Sequence, residues 1–122
     1  MNLGREGEDL ACNYLIDNGY TILQRNWRAG HLEIDIIALN QNGIHFVEVK
    51  TRREPVQGKP EDSVNTSKQK KLINAAEKYL SSKKNEILGD MEIYFDVLTI
   101  VYDTHNNYHI RYIPEAFIPL FY

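Results

Sequence analysis

Between residues 3 and 18, apolar and small positions recur every three or four residues. Leu3, Gly7, Leu10, Ala11, Tyr14 and Leu15 form one helical stripe, and Glu6, Asp9, Asn13 and Asp17 lie opposite. Asn18-Gly19 is a stop signal, with Gly19 suited to a left-handed cap. Tyr20 to Trp27, rich in aromatic and β-branched residues, then predicts a strand. Two clearer strands follow, His31 to Leu39 and Ile44 to Arg52, around Asn40-Gln41-Asn42-Gly43. Asn42-Gly43 is a strong hairpin signal because both residues tolerate positive φ. Pro55, Gly58, Pro60 and several charges make 53–63 a loop. Helical spacing returns over 66–82, with Leu72, Ala76, Tyr79 and Leu80 inward and Asn65 or Thr66 as cap. Glu92 to Tyr102 is apolar enough for a sheet interior. Asn106-Asn107 turns the chain into a last strand, Tyr108 to Ile113, and an apolar tail runs to Tyr122. The order αβββαββ predicts an α/β (α+β) domain with a mixed sheet.

Size and composition narrow this only slightly. At 122 residues, with no repeat or linker, the chain predicts a single domain over 1–122. Its apolar runs are too short to span a bilayer, and its first residues carry no apolar signal region. Cys12 is the only cysteine and has no internal partner, so the cytoplasm is the simplest expectation. Charge is more informative. The total is −3, yet residues 49–84 carry ten Lys or Arg against four acids, a net +6 that leaves −9 for the rest. A basic face on an acidic protein is one outcome, with nucleic acid as partner. Lysines solvating a loop and a helix are the other.

The chemistry-bearing segments are Leu32-Glu33-Ile34-Asp35-Ile36-Ile37 and Phe46-Val47-Glu48-Val49-Lys50-Thr51-Arg52. Strand alternation sends Ile34, Ile36 and Ala38 to one face and Glu33 and Asp35 to the other, while Glu48 and Lys50 share a face. A two-residue loop at 42–43 sets Gln41 opposite Ile44. Asp35 then falls opposite Lys50, with Glu48 its diagonal neighbour about 7 Å away. Two carboxylates beside one another are costly unless a cation lies between them. A hard divalent ion, Mg²⁺ or Mn²⁺, suits oxygen ligands. Asp35 and Glu48 would hold it near a phosphoryl group, and Lys50 would orient water or neutralise growing charge. A plain Glu-Lys and Asp-Lys ladder is the structural alternative.

These blocks carry a resemblance. Gly4-x-x-x-Glu8-x-x-Ala11, the Glu33-Ile34-Asp35 strand and Phe46-Val47-Glu48-Val49-Lys50-Thr51-Arg52 resemble the YraN-like family of uncharacterised bacterial proteins. The likeness continues through Ser63-Val64, Lys68-Gln69, Lys71-Leu72, Ala75, Tyr79-Leu80, Phe95-Asp96-Val97 and Ala116-Phe117, nearly the whole chain. Leu32 and Tyr94 depart from it, where the family usually has Gly and Arg. That family is similar to PD-(D/E)xK restriction endonucleases and Holliday-junction resolvases. The resemblance implies a restriction-endonuclease-like fold, a mixed central sheet flanked by helices, and a metal-dependent nuclease acting on DNA, branched or damaged DNA included. It also implies a metal-assisting role for Glu8, which the helical stripe places at the edge of the buried face.

The remaining candidates are weaker. Glu33 is a second acid beside the site, a ladder partner for Arg52 or an alternative metal ligand. His31 is a proton shuttle or a surface residue near a turn. Arg52, Arg53, Lys68, Gln69 and Lys71 are the candidates for nucleic-acid contact, Lys68 from the sheet-facing side of the second helix; a snorkelling Lys68 is the alternative. Asp96, central in an apolar strand, needs a structural partner if buried. The tail from Phe117 to Tyr122 could form a homodimer interface or pack on its own core.

Overall fold

A computed structural model of the protein describes residues 3–56, 58–59, 64–83 and 91–119. Ser63, part of the 53–63 loop and the tail beyond Pro119 lie outside the described residues. The elements are α1 (Leu3–Asp17), β1 (Thr21–Ala29), β2 (Leu32–Asn40), β3 (Gly43–Arg53), α2 (Thr66–Ser82), β4 (Ile93–Tyr102) and β5 (Tyr108–Phe117). The predicted order αβββαββ is therefore present, as a mixed α+β fold with one sheet flanked by two helices.

The five strands lie in the order β1-β2-β3-β4-β5. Only β3 and β4 run parallel, and α2 lies in the crossover that a parallel pair requires. Each helix covers one face. Under α1, Ala11, Cys12 and Leu15 pack with Ile36, Ala38, Val47, Leu98 and Ile100. Under α2, Leu72, Ala75, Ala76 and Tyr79 pack with Ile34, Ile37, Phe46, Phe95 and Val97. β3 and β4 are buried on both faces, which is why their sequences read as nearly continuous apolar runs.

Local signals account for the helix ends. Gly19 takes φ +89°, and the Tyr20 N–H returns to the Leu15 carbonyl at 2.9 Å. Asn65 caps α2, its Oδ1 accepting the Lys68 N–H at 2.9 Å.

Three expectations are corrected. The hairpin turns at Gln41-Asn42, with Asn40 paired to Gly43. Asn40 Oδ1 accepts the N–H groups of Asn42 (2.9 Å) and Gly43 (3.2 Å), closing the turn one residue early. The register therefore slips by two, which preserves the faces but carries Asp35 level with Glu48 rather than Lys50. Next, alternation in β2 breaks at Asp35: Ile34 packs under α2, but Ile36 and Ala38 pack under α1. Opposite it in β1, Asn26 takes φ +51° between Arg25↔Ile36 and Trp27↔Ile34, so both strands change faces at the same level. Finally, β5 runs on to Phe117. A bulge opposite Asp96, with Glu115 at φ +46°, accommodates Pro114 on this edge strand. Phe117 stacks on Phe95 at 5.0 Å, so the start of the tail packs on its own core.

Candidate functional site

The β2–β3 ladder ends at Ile36↔Val47, and the strands part beyond it. Asp35 fills the fork: its Oδ2 accepts the Val49 N–H at 2.9 Å. Burial, and then the neighbouring Glu48 charge, push the Asp35 carboxyl up to about 7. The Val49 N–H opposes that rise, and Glu8 and Glu33 add to it.

Glu48 is 5% exposed on the α2 side of β3. Its Oε1 lies 3.4 Å from Lys50 Nζ and 3.5 Å from Lys68 Nζ. Lys68 reaches it from the first turn of α2, which Asn65 holds in place. Asp35, Glu48, Lys50 and Lys68 thus meet where the fork, β3 and the start of α2 converge. A buried carboxylate with two ammonium groups is satisfied electrostatically without any bound ion.

Glu8 approaches from the α1 side but is engaged, its Oε2 accepting Asn26 Nδ2 at 3.0 Å. Glu8, Arg5, Arg25, Arg28 and Glu33 line a cleft of about 590 Å³ beside the fork. Among the described residues, no three His, Cys, Asp or Glu side chains converge as a ready-made metal cage. Glu33 faces Arg28 at 3.6 Å, so of its alternatives the ladder with Arg52 is not formed, because the change of faces at Asp35 turns it toward α1. His31 sits exposed in the Gly30-His31 turn at the far end of the β1–β2 hairpin.

The residues proposed for nucleic-acid contact separate. Lys71 and Arg52 are exposed. Arg53 lies on the α1 side, hydrogen-bonded to Asn106 Oδ1 at 3.0 Å and 5.6 Å above the Tyr102 ring. Gln69 is used internally: its Nε2 donates to the Val64 carbonyl at 3.0 Å.

Two features escaped the pattern reading. Asn26 both turns the strand and holds Glu8; an asparagine within an aromatic strand was its only signal. His45 belongs to a buried network around Asp96. His45 Nδ1 lies 2.6 Å from Asp96 Oδ2, and Nε2 lies 3.0 Å from Asn40 Oδ1. Tyr112 also donates to Asp96, and the Glu115 N–H reaches Asp96 Oδ1 at 2.9 Å. Asp96 therefore has the structural partners its burial demands.

The profile of the "Uncharacterised protein family UPF0102" matches residues 7–100. A UPF0102 protein of Bacteroides thetaiotaomicron is 41% identical over 117 residues, 96% of this chain and 93% of the relative. One from Chlorobium limicola is 43% identical over 122 residues, 99% of this chain and 92% of the relative. Another, from Clostridium tetani, is 43% identical over 116 residues, 94% and 93% of the two chains. The chain belongs to the UPF0102 family, the YraN-like proteins that its strand and helix motifs resemble.

Proposed function

We propose that this protein is a metal-dependent nuclease-like protein of the PD-(D/E)xK kind, hydrolysing phosphodiester bonds in DNA. The observation that carries the reading is the Asp35 carboxylate, set into the β2–β3 fork beside Glu48 and pushed up to about 7. Such a group is costly in its ionised form, and a nearby cation would relieve the cost. The donor chemistry fits Mg²⁺ or Mn²⁺. Asp35 and Glu48 would hold the ion, and Glu8 would join by releasing Asn26. Magnesium commonly takes one or two carboxylates and completes its shell with water and phosphate, so a three-acid cage is not required. When bound, the ion supplies Lewis-acid polarisation of a phosphoryl oxygen and a water of lowered pKa.

The chain's own residues supply the rest. Lys50 places an ammonium beside Glu48, where charge develops on the phosphorane. Lys68, the more exposed of the two lysines, is free to exchange Glu48 for a substrate phosphate.

A second reading has its own support. Because Lys50 and Lys68 already neutralise Glu48, the same fold would serve as a nucleic-acid-binding module with little catalysis. One experiment separates the two. Purified protein is incubated with Mg²⁺ or Mn²⁺ and single-stranded, duplex, flapped or four-way DNA, with Glu48→Gln as control and divalent binding followed by calorimetry. Cleavage by wild type alone is the expected result. Failure to cut any form or to bind either ion defeats the nuclease reading, and retained DNA would then favour the binding module.

A further inference from the structure

The basic residues that stand out in the sequence lie between 49 and 84, but the sheet adds two from a distant, otherwise acidic part of the chain. Lys50 of β3 is in register with Thr99 of β4, and Thr99 with Arg111 of β5. One step along, Arg52 is in register with Val101, and Val101 with His109. All six face the side opposite α1. Val49 on β3, Leu98 and Ile100 on β4, and Ile110 and Tyr112 on β5 pack toward α1, so their alternating neighbours point the other way. This is the face on which Glu48 meets Lys68. Two of the six, Arg111 and Val101, line one cleft of about 470 Å³ together with Thr104, Glu54, Pro55 and Val56.

Resting on the nuclease-like reading above, we infer that Arg111 and His109 bind the phosphate backbone of one nucleic-acid strand as it leaves the Asp35–Glu48 site. Arg52, His109 and Arg111 are exposed. Among the described residues, no carboxylate lies within ion-pair distance of Arg111; Glu54 lines the same cleft. Between the two cations, the buried Thr99 Oγ1 has no hydrogen-bond partner among the described residues. Neighbouring strands are about 4.8 Å apart, so the backbones at Lys50 and Arg111 are separated by about 10 Å. A nucleic-acid strand covers that in about three nucleotides at ~3.4 Å each. Basic residues on β3 and β5, on one face with Thr99 between Lys50 and Arg111, suit a single backbone whose repeating negative charge they complement.

The test measures anisotropy of a labelled single-stranded 12-nucleotide probe in EDTA, across a salt series. Wild type is compared with Arg111→Gln, Arg111→Lys, His109→Gln and Lys78→Gln, the last an exposed lysine on α2. Arg111→Gln is expected to weaken binding about fivefold at 0.1 M salt and to flatten the slope of log K against log salt by about 0.7. Arg111→Lys should recover most of the loss, and Lys78→Gln should match wild type. Thermal melts of the variants should superimpose, since the side chains are exposed. If wild type binds but Arg111→Gln and His109→Gln keep its affinity and slope, the β5 assignment is overturned while the nuclease-like reading stands. If wild type binds none of the probe and no DNA in the cleavage screen, both fall.

Discussion

Asp35 and Glu48 sit side by side but carry opposite consequences for stability. In the metal-free protein, the Asp35 carboxyl titrates near 7 when folded and near its ordinary value when unfolded. Between about pH 4 and 7 the folded state therefore binds the extra proton. Stability from this group is greatest at the acidic end and is lost as pH rises through that window. Asp35→Asn keeps an acceptor for the Val49 N–H and has no charge to bury. In denaturant titrations with EDTA, the variant should exceed wild type by about 4 kcal/mol at pH 8 and converge with it near pH 4. Parallel pH profiles for the two proteins would contradict this account of Asp35. Glu48→Gln behaves differently. It lifts a repulsion from Asp35 but deprives Lys50 and Lys68 of their carboxylate. Two adjacent acids alone would imply a gain; with the lysines in place, a loss of about 1–2 kcal/mol is expected, together with loss of divalent binding. Calorimetry and a urea melt on the same variant check both halves. Lys50→Ala should still bind the ion but lose most of any cleavage rate, because both carboxylates remain.

At the scale of elements, two glycines set how closely the pieces approach. Gly7 brings α1 against β3, where an added Cβ would overlap Thr51 Oγ1. Gly7→Ala should cost about 1–3 kcal/mol, and pairing it with Thr51→Ala should recover much of that by removing the opposing atom. Gly43 is less forgiving. It takes φ +151°, and its Cβ would meet the Glu92 backbone carbonyl, which no side-chain truncation moves. Gly43→Ala should therefore destabilise more than Gly7→Ala, and no second substitution at Glu92 should rescue it; thermal melts of the three variants decide. The start of α2 is the third junction. Asn65→Ala should cost about 1 kcal/mol and loosen the turn that presents Lys68 to Glu48.

Taken as a whole molecule, the protein has net charge −3 but a face on which Lys50, Arg52, Lys68 and Arg111 gather. Reversing Lys68 and Lys71 to Glu should weaken DNA binding and reduce its salt dependence by about one to two in slope. An unchanged slope would mean that this part of α2 only solvates the surface. The opposite face of the sheet holds a different kind of polar group. His45, Asp96, Tyr112 and Asn40 are bonded to one another, tying the β2–β3 turn to β4 and β5. Burial and Asp96 hold the Tyr112 hydroxyl far above its ordinary range, so it remains a donor. Asp96→Asn should cost about 3–5 kcal/mol, since it leaves buried partners unmatched, and should leave the salt slope of DNA binding alone.

Local chemistry written into the chain determined the element order, the helix ends and the existence of a β2–β3 hairpin. Periodicity, caps and turn residues act over a few residues, so they can be read without knowing what packs on them. The grouping of Asp35 with Glu48 and Lys50 was legible for the same reason: a two-residue slip of register leaves every side chain on its face. Tertiary structure decided the rest. Asn40 moved the turn because its side chain could cap two N–H groups and meet His45 from the adjoining strand. Asp35 lies in a fork because Asn26, on the neighbouring strand, adopts positive φ at the same level. Lys68 reaches Glu48 only because the parallel crossover lays α2 on that face, and Arg111 joins Lys50 only through two successive strand registers. Contacts between residues twenty to sixty positions apart depend on which strands pair and at what offset. That choice is made by the packing of the whole sheet, and no local pattern in the sequence specifies it.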